Sequence, residues 1–149
     1  EGGYIKKQNY SFSHFDTLVQ TNGQAYKITK SSQDMLSAFY YARTFDKNNL
    51  KINDSFFVPI FMDEENYVLE ITYLHDEILE TKKGKINCMV FKPKMQEGRV
   101  FQDGETMRIW ITKDDNHLLM KVETKIWAGT IEAIISDYSG IKKPIKYLY

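Results

Sequence analysis

Cysteine occurs once in 149 residues, at Cys88, which excludes an internal disulfide and a cysteine-rich zinc site. A lone thiol suits cytosol and periplasm alike and does not decide the compartment. Neither sign of charge is in excess, with 20 Lys and Arg against 20 Asp and Glu. A neutral chain has no basic footprint and no field to steer it to nucleic acid or anionic membrane. No apolar run approaches the roughly 20 residues that span a bilayer, so no transmembrane segment is expected. No signal peptide is visible, and a chain that opens at Glu1 without methionine is expected to be processed or trimmed. Histidine is scarce: His14, His75 and His117 are the only ones, and no two stand at the i,i+2 or i,i+4 spacing of a metal site within one element. No serine sits in a Gly-x-Ser-x-Gly elbow, no Gly-rich loop opens a helix, and no carboxylate pair stands out from the solvated ones. The sequence therefore marks no catalytic residue, no metal site and no cofactor.

What is present is globular: 42% hydrophobic and 14% aromatic residues, enough for the core of a single β-rich domain over residues 1–149. The dominant pattern is alternation, the period of a strand with one buried face. In "LVQTNGQAYKI" the pair Asn22-Gly23 is a hairpin signal, because type I′ turns need positive φ at both central residues. "SFFVPIFM" and "NYVLEITYL" flank an acidic turn, Asp63 to Asn66. Pro59 puts the first of these at an edge or a bulge, since proline cannot donate to a ladder. "DEILETKK" turns at Gly84 into "KINCMVFKP". Three more strands follow at Thr106 to Thr112, Leu118 to Trp127 and Thr130 to Tyr138. Nine or ten short strands predict a curved antiparallel meander, closing into a half-barrel or barrel.

One helix interrupts the pattern, in "SSQDMLSAFYYAR". Ser31 and Ser32 are candidate N-caps, Asp34 suits the positive end and Arg43 the negative end. Met35, Phe39 and Ala42 form one stripe with Ala38 beside it. About three turns are not stable alone in water, so the helix must dock on the sheet. Successive helix residues point about 100° apart. Phe39, Tyr40 and Tyr41 therefore cannot share one face, and at least one tyrosine is expected to look into a cavity, a partner or solvent. Met35, Phe39, Tyr40 and Tyr41 are the candidate ligand-binding residues.

The remaining candidates have plainer explanations. "KDDNH" offers Asp114, Asp115 and His117 to a metal or an acid–base pair. Asp and Asn are also turn formers by mechanism, and a hairpin with a solvated tip is expected here. Cys88 alternates with Ile86 and Val90 on an apolar face, where a thiol behaves as a small inert hydrophobe. The loop "QEGRVFQDGE" sets Arg99 among Glu97, Asp103 and Glu105. It is expected to be a solvated loop, with a hydrolase using residues 97–105 as the weaker alternative.

Taken in order, "EGGY", "DMLSAFYYAR", "GKINCMVFKP", "EGRVF", "IWITKDDNHLL" and "AGTIEAIISDYSG" give the chain a resemblance to a known family. It resembles the Bacteroidetes branch of the domain of unknown function 3108 family, exported proteins of Gram-negative bacteria. The resemblance implies a mainly β domain exported to the periplasm or cell envelope, with further strands ahead of "EGGY" that this chain would lack. It implies no reaction and no catalytic residues. The expected function is a non-enzymatic binding module whose curved sheet holds an apolar small molecule or a cell-envelope protein. The competing expectation is a structural or interaction domain with a filled core.

Overall fold

The computed structural model describes residues 7–47, 49–95 and 106–148. Strands β1 (Ser11–Ser13), β2 (Leu18–Thr21) and β3 (Gln24–Lys27) form a small antiparallel sheet. Helix α1 (Met35–Ala42) follows. Strands β4 (Ser55–Met62), β5 (Glu65–Thr81), β6 (Gly84–Met95), β7 (Thr106–Thr112), β8 (Leu119–Ile126) and β9 (Gly129–Ile134) then form a six-stranded antiparallel meander in sequence order. The expected mainly β fold with one short helix is therefore present, as an open sheet. Among the described residues β4 and β9 are its two ends, and no helix is long and apolar enough to cross a membrane.

The turns follow their chemistry. Asn22 and Gly23 have φ of 49° and 76°, as a type I′ turn requires. Asp63 and Glu64 make the β4–β5 turn with φ of 48° and 67°. The two turns touch, because Asn22 Nδ2 donates to Glu64 Oε1 at 2.9 Å. Gly84 is needed twice over: its φ is +129°, and a Cβ there would stand 3.2 Å from the Cβ of Tyr147. The segments "NYVLEITYL" and "DEILETKK", expected as two strands, are one 17-residue strand. A register shift between Tyr73 and His75 bends it. Such a bulge adds curvature without ending the ladder.

Helix α1 begins two residues later than a cap at Ser32 would place it. Asp34 is the N-cap, and its carboxylate accepts from the Leu36 and Ser37 amides at 2.9 and 3.0 Å. Desolvation pushes the Asp34 carboxyl upward, but these bonds and the Ser37 hydroxyl outweigh it and hold the group below its ordinary value. Ser32 is instead fully buried, its hydroxyl bound to Thr29. Arg43 is the C-cap.

The sheet is buried on both faces through its middle. On one face Val58, Ile60, Leu69, Ile71, Phe91 and Ile109 meet Ala38 and Ala42 of α1. On the other, Ile86, Cys88, Val90, Trp110 and Met120 are covered by Ile135, Ile145 and Tyr147. The chain therefore leaves the sheet after Ile134, short of the Tyr138 expected from alternation. It crosses the back and ends in an antiparallel bridge between Lys85 and Leu148. The small sheet packs Val19, Ile28 and Tyr26 on Phe61, with the Tyr26 and Phe61 rings 5.4 Å apart.

Candidate functional site

The four expected ligand contacts do not converge on one cavity. Met35, Phe39 and Tyr41 are half-buried and pack against the core beneath the helix. The Tyr41 ring meets Phe45 edge-on at 5.3 Å, and Phe45 stacks on Phe56 at 5.0 Å. Alanines face the sheet at positions 38 and 42, so the helix sits close and fills the space it was expected to roof. Tyr40 alone turns outward, 66% exposed.

Tyr40 stands on the rim of a cavity of about 980 Å³ between the end of α1 and the β7–β8 turn. The turn that lines it is not a free, solvated tip. Asn116 is buried. Its backbone carbonyl accepts from Arg43 Nη2 at 2.6 Å, and its side chain bonds Lys143 through both backbone groups, at 2.9 and 3.2 Å. Asp114 organises the turn as an Asx motif. Its Oδ1 accepts from the Asn116 and His117 amides and from the Thr112 hydroxyl, and its Oδ2 accepts from Asn116 Nδ2. His117 Nδ1 lies 3.2 Å from the Arg43 carbonyl, and Asp115 pairs with Lys143. The expected turn chemistry is real, but it latches three segments together: the helix end, the hairpin and the C-terminal crossing.

Two cations are held inside this arrangement. Lys47 is 8% exposed, and its ammonium donates to the Phe45 carbonyl at 2.9 Å. Burial, reinforced by Arg43, pulls its pKa down to about 8. Burial and then the charge of Lys47 lower the His117 imidazole. Sequence reasoning missed Lys47 and Arg43 as partners of His117, because 70 or so residues of chain separate the helix end from the turn and no spacing rule joins them.

Other candidates stay apart. His14 stacks on Phe12 at 6.0 Å, and His75 lies on the exposed stretch of β5 beside Glu77 at 3.3 Å. Among the described residues no three His, Cys, Asp or Glu side chains gather as metal ligands. The acidic loop around Arg99, from Glu97 to Glu105, lies outside the described residues. Cys88 is fully buried, and burial pushes its thiol up to about 12. It should resist a thiol reagent under native conditions and react fully in denaturant; equal rates in the two states would refute that burial.

The last strand is the opposite of the core. All six residues of β9 are exposed. Ile131 and Ile134 are 58% and 56% exposed, and Trp127 in the preceding turn is 94% exposed. Ile131 pairs with Thr124 and Ile134 with Lys121, so each face of the strand carries one isoleucine. The other end of the sheet is protected: β4 contains Pro59, and Gln33 bonds along it, its amide to the Pro59 carbonyl and its carbonyl to the Phe61 amide. β9 has no proline, and its one charge, Glu132, is tied to Lys121 at 2.7 Å. An exposed edge with large apolar side chains and a single charge is what β proteins usually avoid.

In comparisons with known proteins, residues 1–136 match the family model described as "Protein of unknown function (DUF3108)". No curated protein and no solved structure matches the chain.

Proposed function

Because the chain belongs to the DUF3108 family, whose description names no activity, function must be argued from the surface, and we propose a non-enzymatic binding module that takes a protein partner on the β9 edge. The observation that carries this is the contrast between the two ends of one sheet. β4 is blocked, whereas β9 is exposed at every residue and shows an isoleucine on each face. An edge of this kind accepts an extended segment by strand addition, with main-chain bonds for affinity and side-chain contacts for specificity. Trp127 supplies the large exposed anchor that interfaces favour. Of the two occupants expected for the sheet, the protein is favoured over the apolar small molecule, because α1 already fills the inner face. That the partner belongs to the cell envelope rests on the family resemblance to exported proteins.

A photo-crosslinking residue at position 127, used in the protein's own cells, tests this. It should give a polypeptide adduct that Ile131→Lys abolishes, while the same residue at exposed position 36 on α1 gives none. Ile131→Lys should leave stability within about 0.5 kcal/mol, as exposed positions do. Adducts that persist in Ile131→Lys, or equal adducts from both positions, would sink the proposal.

A further inference from the structure

A second surface, which shares no residue with β9, asks for a ligand of different chemistry. The cavity of about 980 Å³ at the end of α1 is lined by Tyr40, Arg43, Phe45, Lys47, His117 and Lys142, among others. Its carboxylates are engaged elsewhere: Asp114 accepts four hydrogen bonds within its own turn, and Asp115 pairs with Lys143. On the rim, Lys113 pairs with Asp76. The bonds of the inner cations run to neutral groups. Lys47, buried, donates to the Phe45 carbonyl, and Arg43 Nη2 donates to the Asn116 carbonyl. Arg43 Nε is buried with no hydrogen-bond partner among the described residues.

Buried charge answered by neutral carbonyls is costly, and an unmet buried donor adds to that cost. We infer that this pocket is an oxyanion site, which takes the carboxylate or phosphate of a small molecule or lipid headgroup between Arg43 and Lys47, with His117 beside it and Tyr40 and Phe45 flanking the apolar part. Arg and Lys suit such a group as a directional fork and a point charge. Burial first and Arg43 second lower the Lys47 pKa, against the Asp46 carboxylate, which raises it; a bound anion would favour both cations.

A helix C-terminus normally repels anions through its free carbonyls. Here those carbonyls are covered. The Arg43 and Thr44 amides bond Tyr40 and Tyr41, the Phe45 amide bonds Ala42, His117 reaches the Arg43 carbonyl, and Lys47 takes that of Phe45. The Nδ1 contact to a carbonyl makes that nitrogen the donor, so in the neutral ring Nε2 accepts from a water, and it donates to the anion only when the ring is protonated.

Inorganic phosphate titrated into the full chain at constant ionic strength, with the His117 ring followed by NMR, tests this. A parallel arm sediments the protein with phosphatidylglycerol–phosphatidylcholine vesicles. A saturable shift is expected, weakened about tenfold or more by Lys47→Met, as loss of an ionic contact implies, and untouched by Lys82→Met in the exposed β5–β6 turn. Arg43→Gln, which keeps donors but removes charge, should weaken binding as well and stands in if Lys47→Met does not fold. Vesicle binding with the same pattern, without response to free phosphate, upholds the site with a lipid headgroup as its source. No binding in either arm, or equal weakening by Lys47→Met and Lys82→Met, overturns it.

Discussion

Phe91→Ala should lower the unfolding free energy by about 3–5 kcal/mol, the range for deleting a buried aromatic ring. Phe91 is 1% exposed and lies on the helix-facing side of β6. Its ring stands 5.5 Å from that of Tyr73 and 6.4 Å from that of Phe56. The neighbours cannot collapse into the gap, because β5 and β7 hold it on either side and α1 closes it from above. Urea denaturation should show a lower midpoint at an unchanged slope. A loss below about 1 kcal/mol would mean that the inner face yields easily, as a ligand cavity would and a filled core would not.

Asp114→Ala should cost about 2–3 kcal/mol, much more than a hairpin tip would. The carboxylate accepts from the Thr112 hydroxyl at 2.6 Å, from the Asn116 amide and side chain at 2.9 Å each, and from the His117 amide at 3.2 Å. Thr112 and Asn116 are buried, at 0% and 4% exposure, so donors left behind are poorly placed to find water. The effect should travel, because Asn116 is what grips Lys143. Faster hydrogen exchange at Leu148 and Lys85 is expected in the variant. Glu80→Ala, which breaks the exposed pair with Lys85, should stay within about 0.5 kcal/mol as the control. Similar costs for the two variants would show that the turn is not a latch.

The residues whose structure is set locally were legible in the sequence. Asn22-Gly23 needs only its own backbone preference, Pro59 only its missing amide, and the alternation of Tyr67, Leu69, Ile71 and Tyr73 only the strand period. The stripe of α1 was legible for the same reason, as was the outward turn of one of its two tyrosines, though not which one. What escaped depends on pairings distant in the chain. Alternation cannot say that β9 is the end of the sheet, so the exposure of Ile131 and Trp127 was not foreseen. Composition cannot say that Ala38 and Ala42 bring the helix down onto Val58 and Ile60, which removed the space expected beneath Met35, Phe39 and Tyr41. "KDDNH" revealed its turn but not its purpose, because Arg43, Lys47 and Lys143 reach it only in three dimensions.

The central claim is that α1 packs directly on the inner face of the sheet and that the β9 edge is where a protein partner is proposed to bind. Native mass spectrometry of the protein, drawn gently from its own cells as wild type and as Ile131→Lys, tests it most directly. The account predicts a polypeptide bound to the wild type and missing from the variant. A wild type that carries no polypeptide, or a polypeptide retained equally by the Ile131→Lys variant, would contradict it.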